Sequence, residues 1–412
     1  EVTIDLQESS VHFGENGGFV PISDRLAESF DPNSNTLTSS SFHKFNRYQT
    51  QPYVSNGYIG SRIPNVGHGF TLDQWGDLQS PNSLNGWPLF NERYSGAFIA
   101  GFYNLQPRVN KTNFEELYAK GYESVISAIP QWTTLYLKVQ IESNWYVNDP
   151  EMLHDEITEY SQTVSLAEGT VTTKYLWMGR LKVSYTVAAH RTDTTLGIVQ
   201  LDVQNVSGET LKIEVLGNVD FSTSRRCDYV NSGEDLGSYF LTVSPKNLPD
   251  VSATIYVTHD APGADEFATI VEERLVGKSF QYTLKPSDGF TNIKYVGIVS
   301  TDLVKDPFFK AKTVAMQAEN ALASHISSWS TLDETYDITF KHDKLLTMVA
   351  RSSIFHLLSN TRPNAEGVTG ALGVSGLSSD SYAGLMFWDA DLWMFGAILP
   401  FAPDFARSLV NY

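Results

Sequence analysis

From about Phe45 to Val304 the apolar positions recur with a period of two. Val199, Leu201 and Val203 alternate with Gln200, Asp202 and Gln204, and Leu211, Ile213 and Val215 alternate with Lys212 and Glu214. Similar runs lie at Leu135 to Ile141, Leu181 to Val187, Ala253 to Val257 and Ile293 to Val299. Side chains on a strand point alternately to opposite faces, so each run reads as a strand with one face buried. The Gly, Asn, Asp and Pro between the runs are turn formers. So many strands without intervening helices predict a β-sandwich of two large antiparallel sheets over residues 45–304. Ahead of it, Gln7 to Ser41 is rich in Ser, Asn, Gly and Asp, and residues 1–44 are expected to form an irregular arm.

After Val304 the pattern changes. Asp306-Pro307 supplies an N-cap residue and a proline at the first helical position, and good helix formers follow to about Trp329. Residues 305–340 therefore read as linker helices. A further helix is predicted from Asp343 to Leu358, where Met348, Val349, Ile354, Phe355, Leu357 and Leu358 spread around most of the circumference. A helix apolar on most sides is buried on most sides. Residues 341–412 have room for about three helices, too few to cover it, and they close on the apolar-rich Phe405 to Tyr412, whereas domain boundaries fall in polar linkers. The expectation is that this chain is part of a larger folded body, completed by residues outside it or by a second polypeptide.

Composition narrows the function classes. A formal charge of −18 and no visible basic patch argue against nucleic acid. The acidity suits work at low pH and is equally an ordinary route to solubility. Cys227 is the sole cysteine, so no disulfide can form within the chain, and it reads as a small buried hydrophobe or as a partner for another chain. Asn110-Lys111-Thr112 and Asn205-Val206-Ser207 are glycosylation sequons, which point modestly to a secretory route. No apolar run is long enough to span a membrane, and Glu1 is not an initiator, so a removed signal or anchor segment is compatible with the sequence.

The densest chemical signal is Phe387-Trp388-Asp389-Ala390-Asp391-Leu392-Trp393-Met394, followed by Pro400-Phe401 and Ala406-Arg407-Ser408-Leu409. Carboxylates inside an apolar block should be paired or should serve a ligand, because burying one unpartnered costs several kcal/mol. In one reading Asp389 and Asp391 cap or salt-bridge a helix start. In the other, Trp388 walls a sugar and Asp389 accepts its hydroxyls. The two acids cannot be a hydrolytic acid–base pair across a scissile bond, which in an inverting enzyme needs carboxyls roughly 6.5–9.5 Å apart. A metal-binding Asp-x-Asp fits poorly without a nucleotide fold. No His-Glu-x-x-His or Gly-x-Ser-x-Gly occurs, and Gly67-His68-Gly69 reads as a turn rather than a dinucleotide loop.

These residues resemble glycoside hydrolase family 65, whose members include acid trehalases and disaccharide phosphorylases. The resemblance rests on Gly376-Leu377, Tyr382, Gly384 and Phe387-Trp388-Asp389, on Asn56-Gly57-Tyr58-Ile59-Gly60-Ser61-Arg62, and on His325 and Trp329. The string Arg47 to Val54 and the pair Ala390-Asp391 are most similar to the fungal acid trehalase branch. The resemblance covers about Phe45 to Tyr412. It implies an N-terminal β-sandwich, linker helices and the first helices of an (α/α)6 barrel. It also implies inverting hydrolysis of α,α-trehalose, with Trp388 and Asp389 binding the glucose under attack. The general acid glutamate and the base are then expected beyond Tyr412, so this chain holds no catalytic residue and requires the C-terminal portion of the enzyme as its partner. Neither metal nor organic cofactor is implied, and the compartment is a secretory one: vacuole, periplasm, cell wall or medium. The alternatives are a family phosphorylase acting on trehalose, maltose or kojibiose, and a non-catalytic carbohydrate-binding protein using the sandwich alone.

Overall fold

The computed structural model describes residues 11–13, 19–21, 29–42, 48–72, 93–107, 121–152 and 154–411. A ten-stranded antiparallel sheet is ordered in space as Cys227–Asp235, Ser238–Pro245, Ala253–Asp260, Gly289–Ser300, Leu196–Asn205, Leu181–Ala189, Thr170–Trp177, Ile157–Ser165, Thr36–Ser39 and Phe30–Asp31. It faces a five-stranded sheet, Asn144–Val147, Leu135–Ile141, Leu211–Asp220, Leu275–Leu284 and Glu266–Val271. A four-stranded sheet is made of Ile126–Ile129, Ala97–Tyr103, Ile59–Arg62 and Tyr53–Ser55. One apolar core joins all three, with Val183, Tyr185 and Val187 from the first, Leu137, Ile213 and Val215 from the second, and Phe98 and Ile99 from the third. The alternation in sequence is the cause: Leu181, Val183, Tyr185 and Val187 are buried while Lys182, Ser184 and Thr186 are not.

The expected irregular arm is corrected in part. Thr36–Ser39 pairs with Ile157–Ser165 and turns back onto Phe30–Asp31, so residues 29–42 extend the large sheet. The reason is Phe30, 1% exposed, which packs with Leu166, Trp329 and Phe355 and draws this Asn-rich hairpin down.

The linker is two helices. The first, α1 (Pro307–Met316), ends before Asn320, whose backbone is left-handed at φ +61°, and α2 runs Ala321–Thr335. Asn tolerates that conformation better than most L-residues. Asp306 precedes α1 but makes no capping bond. The helix lies on the outer face of the large sheet, where the Ala311 carbonyl sits against Gly297 so closely that a Cβ there would lie 1.9 Å away. This covering explains why Tyr295 to Ser300 are buried on both faces.

Helix α3 (Lys344–Ser359) starts on Asp343, whose carboxylate accepts from Leu346 N. With the short α4 (Phe395–Ile398) and α5 (Pro403–Val410) it builds a second core from Ile354, Leu358, Leu372, Ile398, Phe405 and Leu409. Among the described residues no helix is long and apolar enough to cross a membrane.

Candidate functional site

The sandwich and the helices meet at a polar joint, and the motif Asn56 to Arg62 is its centre. Asn56 Oδ1 accepts from Tyr58 N and Ile59 N, each at 2.9 Å, while its Nδ2 donates to the carbonyls of His190 and Thr194. Gly57, at φ +86°, lets the chain pass against the Thr361 backbone, where a Cβ would lie 2.7 Å from the carbonyl carbon. Gly60 likewise abuts Leu377. From the neighbouring loop, Arg191 donates to Leu358 O (2.8 Å) and Thr361 O (3.0 Å), placing a cation on the C-terminal carbonyls of α3. Burial, and the nearby charge of Arg362, bring the Arg191 guanidinium down to about 10.

A cleft of about 490 Å³ opens beside this joint. Tyr53 and α3 residues His356 and Asn360 form one wall, the Leu372 to Gly376 loop another, and Trp393, Met394 and Ala397 the third. Asn360 Nδ2 donates to the Tyr53 hydroxyl (2.8 Å), which also hydrogen-bonds His356 Nδ1 (2.9 Å). Asn360 Oδ1 accepts from Leu377 N (2.8 Å) and so fixes the loop opposite. The trio is polar, with His356 exposed, Tyr53 half-buried and Asn360 buried, and sequence reasoning did not single it out. Only the position of Tyr53 inside the conspicuous string Arg47 to Val54 hinted at it.

Trp388 and Asp389 do not line that cleft. They precede a π-helical turn, Ala390–Met394, whose other residues Trp393 and Met394 do. The Trp388 ring is 59% exposed and lies 6.2 Å from that of Trp393. Asp389 is half-buried with a helical backbone and makes no capping bond, and Asp391 is exposed in the first turn. Among the described residues neither carboxylate is sealed in an apolar block. Leu392, Trp393 and Leu399 are exposed as well, so the described residues leave this apolar block uncovered.

Other sequence candidates resolve into structural roles. Asn205, expected as a glycan acceptor, is fully buried. Its Nδ2, the atom a glycan would occupy, donates to Glu209 O (2.8 Å) and Leu284 O (3.1 Å), while Oδ1 accepts from Ser207 N and Oγ. The sequon is a side-chain-closed turn, and this fold leaves no room for a sugar there. Asn110 lies outside the described residues. His325 donates from Nε2 to Gly169 O (3.2 Å) and accepts Arg191 N–H at Nδ1 (3.1 Å), and Trp329 Nε1 donates to Leu166 O (2.6 Å). Both thus bind α2 to the large sheet. Gly67 and Gly69 are left-handed, as a tight turn requires. Cys227 Sγ donates to Ala128 O (3.3 Å), and burial raises the thiol to about 12, away from reactive thiolate. Among the described residues no group of three or more His, Cys, Asp or Glu could hold a metal ion.

Comparison with known proteins agrees with this architecture. A cell wall acid trehalase of Candida albicans is 46% identical over 402 residues, covering 93% of this chain and 37% of that protein. A periplasmic acid trehalase of Saccharomyces cerevisiae is 39% identical over 95% of this chain and 35% of its own length. The chain thus spans little more than a third of these relatives. A solved structure, a putative kojibiose phosphorylase from the human microbiome, superposes with a TM-score of 0.70 over 93% of this chain and 49% of its own, at 12% identity, a likeness of fold alone. The family model described as glycosyl hydrolase family 65, N-terminal domain, matches residues 37–332, from the added hairpin through the sandwich to α2. On that match the chain belongs to glycosyl hydrolase family 65.

Proposed function

We propose that the protein containing this chain hydrolyses α,α-trehalose to two glucoses with inversion at the attacked carbon. The observation that carries this reading is the similarity to acid trehalases along 93% of the chain. The chain contributes the sandwich, the joint and part of the sugar-binding wall. In this reading the exposed Trp388 indole packs against the C–H face of a glucosyl unit. Asp389, half-buried and making no capping bond, accepts its hydroxyl protons. The general acid and the base are supplied by the C-terminal portion of the same enzyme. A protonated carboxyl donates to the bridging oxygen while a carboxylate activates water on the opposite ring face. The protein acts outside the cytosol, at the cell wall, in the periplasm or in the vacuole.

The test is to incubate the complete protein with trehalose, with and without inorganic phosphate. Phosphate-independent release of two glucoses per trehalose is expected. Glucose 1-phosphate among the products would replace hydrolysis by phosphorolysis, and no turnover with retained glycan binding would leave only a binding role.

A further inference from the structure

Between the cleft and Trp388, residues 376–384 make a loop with an uncommon backbone. Tyr382 (φ +52°), Ala383 (φ +61°) and Gly384 (φ +67°) are consecutively left-handed, and only the last is a glycine. L-residues adopt that conformation at a cost and rarely in succession, so the surroundings must hold it. The sandwich supplies the restraint. Arg226 Nη1 and Nη2 donate to Asp380 Oδ2 at 2.9 and 2.8 Å, and the Tyr94 hydroxyl donates to the same oxygen at 2.5 Å. Asp380 is 6% exposed and Tyr94 4%. Arg226 itself is left-handed at φ +59°, so its guanidinium is aimed at the loop from a strained position of its own.

A second contact acts two residues away. Arg62, the last residue of the motif beginning at Asn56, donates from Nε to Ser378 O (2.7 Å) and from Nη1 to the carbonyls of Tyr48 and Gln51. The far end of the loop is held by Tyr103, whose hydroxyl donates to Gly384 O (2.7 Å). Ala383 packs fully buried with Val125, and the turn leads through Leu385 and Phe387, which pack on that pair, into Trp388. Burial alone would push the Arg226 guanidinium down, but Tyr94 and Asp380 beside it outweigh this and hold it charged.

We propose that Arg226 and Arg62 are positioning residues, clasping a strained loop from the sandwich so that Trp388 and Asp389 are presented in one arrangement to the sugar. The inference rests on the reading of those two residues as glucose-binding. It gives the sandwich a part in substrate recognition through the loop that carries Trp388 and Asp389. When the clasp is cut, the loop relaxes and only a fraction of molecules presents the competent arrangement. Apparent affinity falls by that fraction, whereas saturating substrate selects the competent form. The signature is thus a raised KM with kcat nearly intact.

The experiment compares the complete enzyme with Arg226→Gln, Arg226→Lys and Asp380→Asn, by trehalose kinetics and by hydrogen exchange of peptides covering 376–390. Arg226→Gln should raise KM about tenfold with kcat within about twofold. It should also speed exchange in 376–390 at least about tenfold while strands such as Leu181–Ala189 are unchanged. Arg226→Lys, which keeps the charge, should recover part of both. If Arg226→Gln does not fold, Asp380→Asn carries the same expectations without stranding a buried carboxylate. Unchanged exchange in 376–390 overturns the clasp, and faster exchange with unchanged KM reduces it to a structural contact. A wild-type enzyme that leaves trehalose intact removes the functional reading instead, and the exchange result still decides the clasp.

Discussion

Histidine 68 should make the fold acid-sensitive by an amount that can be worked out. Its ring is fully buried, tilted against Tyr185 (4.8 Å) and edge-on to Tyr136 (5.4 Å). Nε2 donates to Asn148 O (3.2 Å) and Nδ1 accepts from Leu135 N–H (3.3 Å), so a second proton would have to sit where a donor already points. Burial, with the charges of Lys294 and His154 adding to it, lowers the imidazole to about 3. In the unfolded chain it titrates near 6.5. Below that value the unfolded state binds a proton that the folded state refuses, so stability is complete above about pH 6.5 and is lost as pH falls towards 3. At about pH 4.5, two units down, the loss is about 2.7 kcal/mol. Replacing His68 by Gln keeps one donor and one acceptor and removes the titration. The variant will be weaker at every pH because it loses ring packing, so the decisive quantity is the slope and not the level. Thermal unfolding of the complete enzyme at about pH 7 and about pH 4.5 should show a wild-type Tm drop larger than the variant's by roughly 1–3 °C. Equal drops would show that His68 is protonated in the folded state and would refute the reasoning.

Asp389→Asn in the complete enzyme should lower kcat/KM at least about tenfold, since a hydrogen bond to a charged acceptor is worth roughly 1.5–3 kcal/mol; steady-state kinetics on trehalose check it, and wild-type values would remove the binding role. Gly169→Ala should cost about 2–4 kcal/mol, because residue 169 is left-handed at φ +65° and its Cβ would lie 2.6 Å from the Trp329 indole. Urea unfolding measures it, and a loss under about 0.5 kcal/mol would contradict the packing described. Glycopeptide mass spectrometry of the native protein should find Asn205 unmodified, because both its amide hydrogens are already committed; a glycan there in folded, active material would overturn the buried turn.

The sandwich was legible because a half-buried strand leaves a period-two trace, and Leu181 to Val187 or Leu211 to Val215 carry it without interruption. The hairpin at residues 29–42 was not, since its anchor is the single Phe30, whose partners lie at Leu166, Trp329 and Phe355. Local composition said loop, and tertiary packing prevailed. Linker helices were legible in the sequence, but the place of the break between α1 and α2 lies at an Asn whose left-handed backbone no periodicity reveals. At the site, the apolar block around Trp388 was visible as a chemical oddity. Hydrophobicity reports what a surface prefers to touch, and here Trp388, Leu392 and Trp393 are exposed. The Tyr53–Asn360–His356 trio could not be found from spacing, since Tyr53 lies about three hundred residues from the other two and meets them only because Gly57 and Gly60 let the motif strands lie against α3 and its loop.

The motif from Asn56 to Arg62 looks at first like a chemical signature, yet every polar group traced in it is spent on the joint. Asn56 closes its own turn and ties to the 190–194 loop, the two glycines allow backbone contact with Thr361 and Leu377, Tyr58 hydrogen-bonds Ser300, and Arg62 holds Ser378. A signature built this way constrains geometry and not reactivity. Side chains at a joint are fixed by fit, where a displaced methyl group meets backbone that cannot move aside. Gly57→Ala illustrates the point: the new Cβ would lie 2.7 Å from the Thr361 carbonyl carbon, at a backbone angle of φ +86° that Ala resists. The sandwich and α3 would have to separate by a few tenths of an ångström at least. Since Arg191, Arg62 and Arg226 all act across that joint, such a separation should lengthen several hydrogen bonds together, and the helices rather than the sandwich should loosen first on heating.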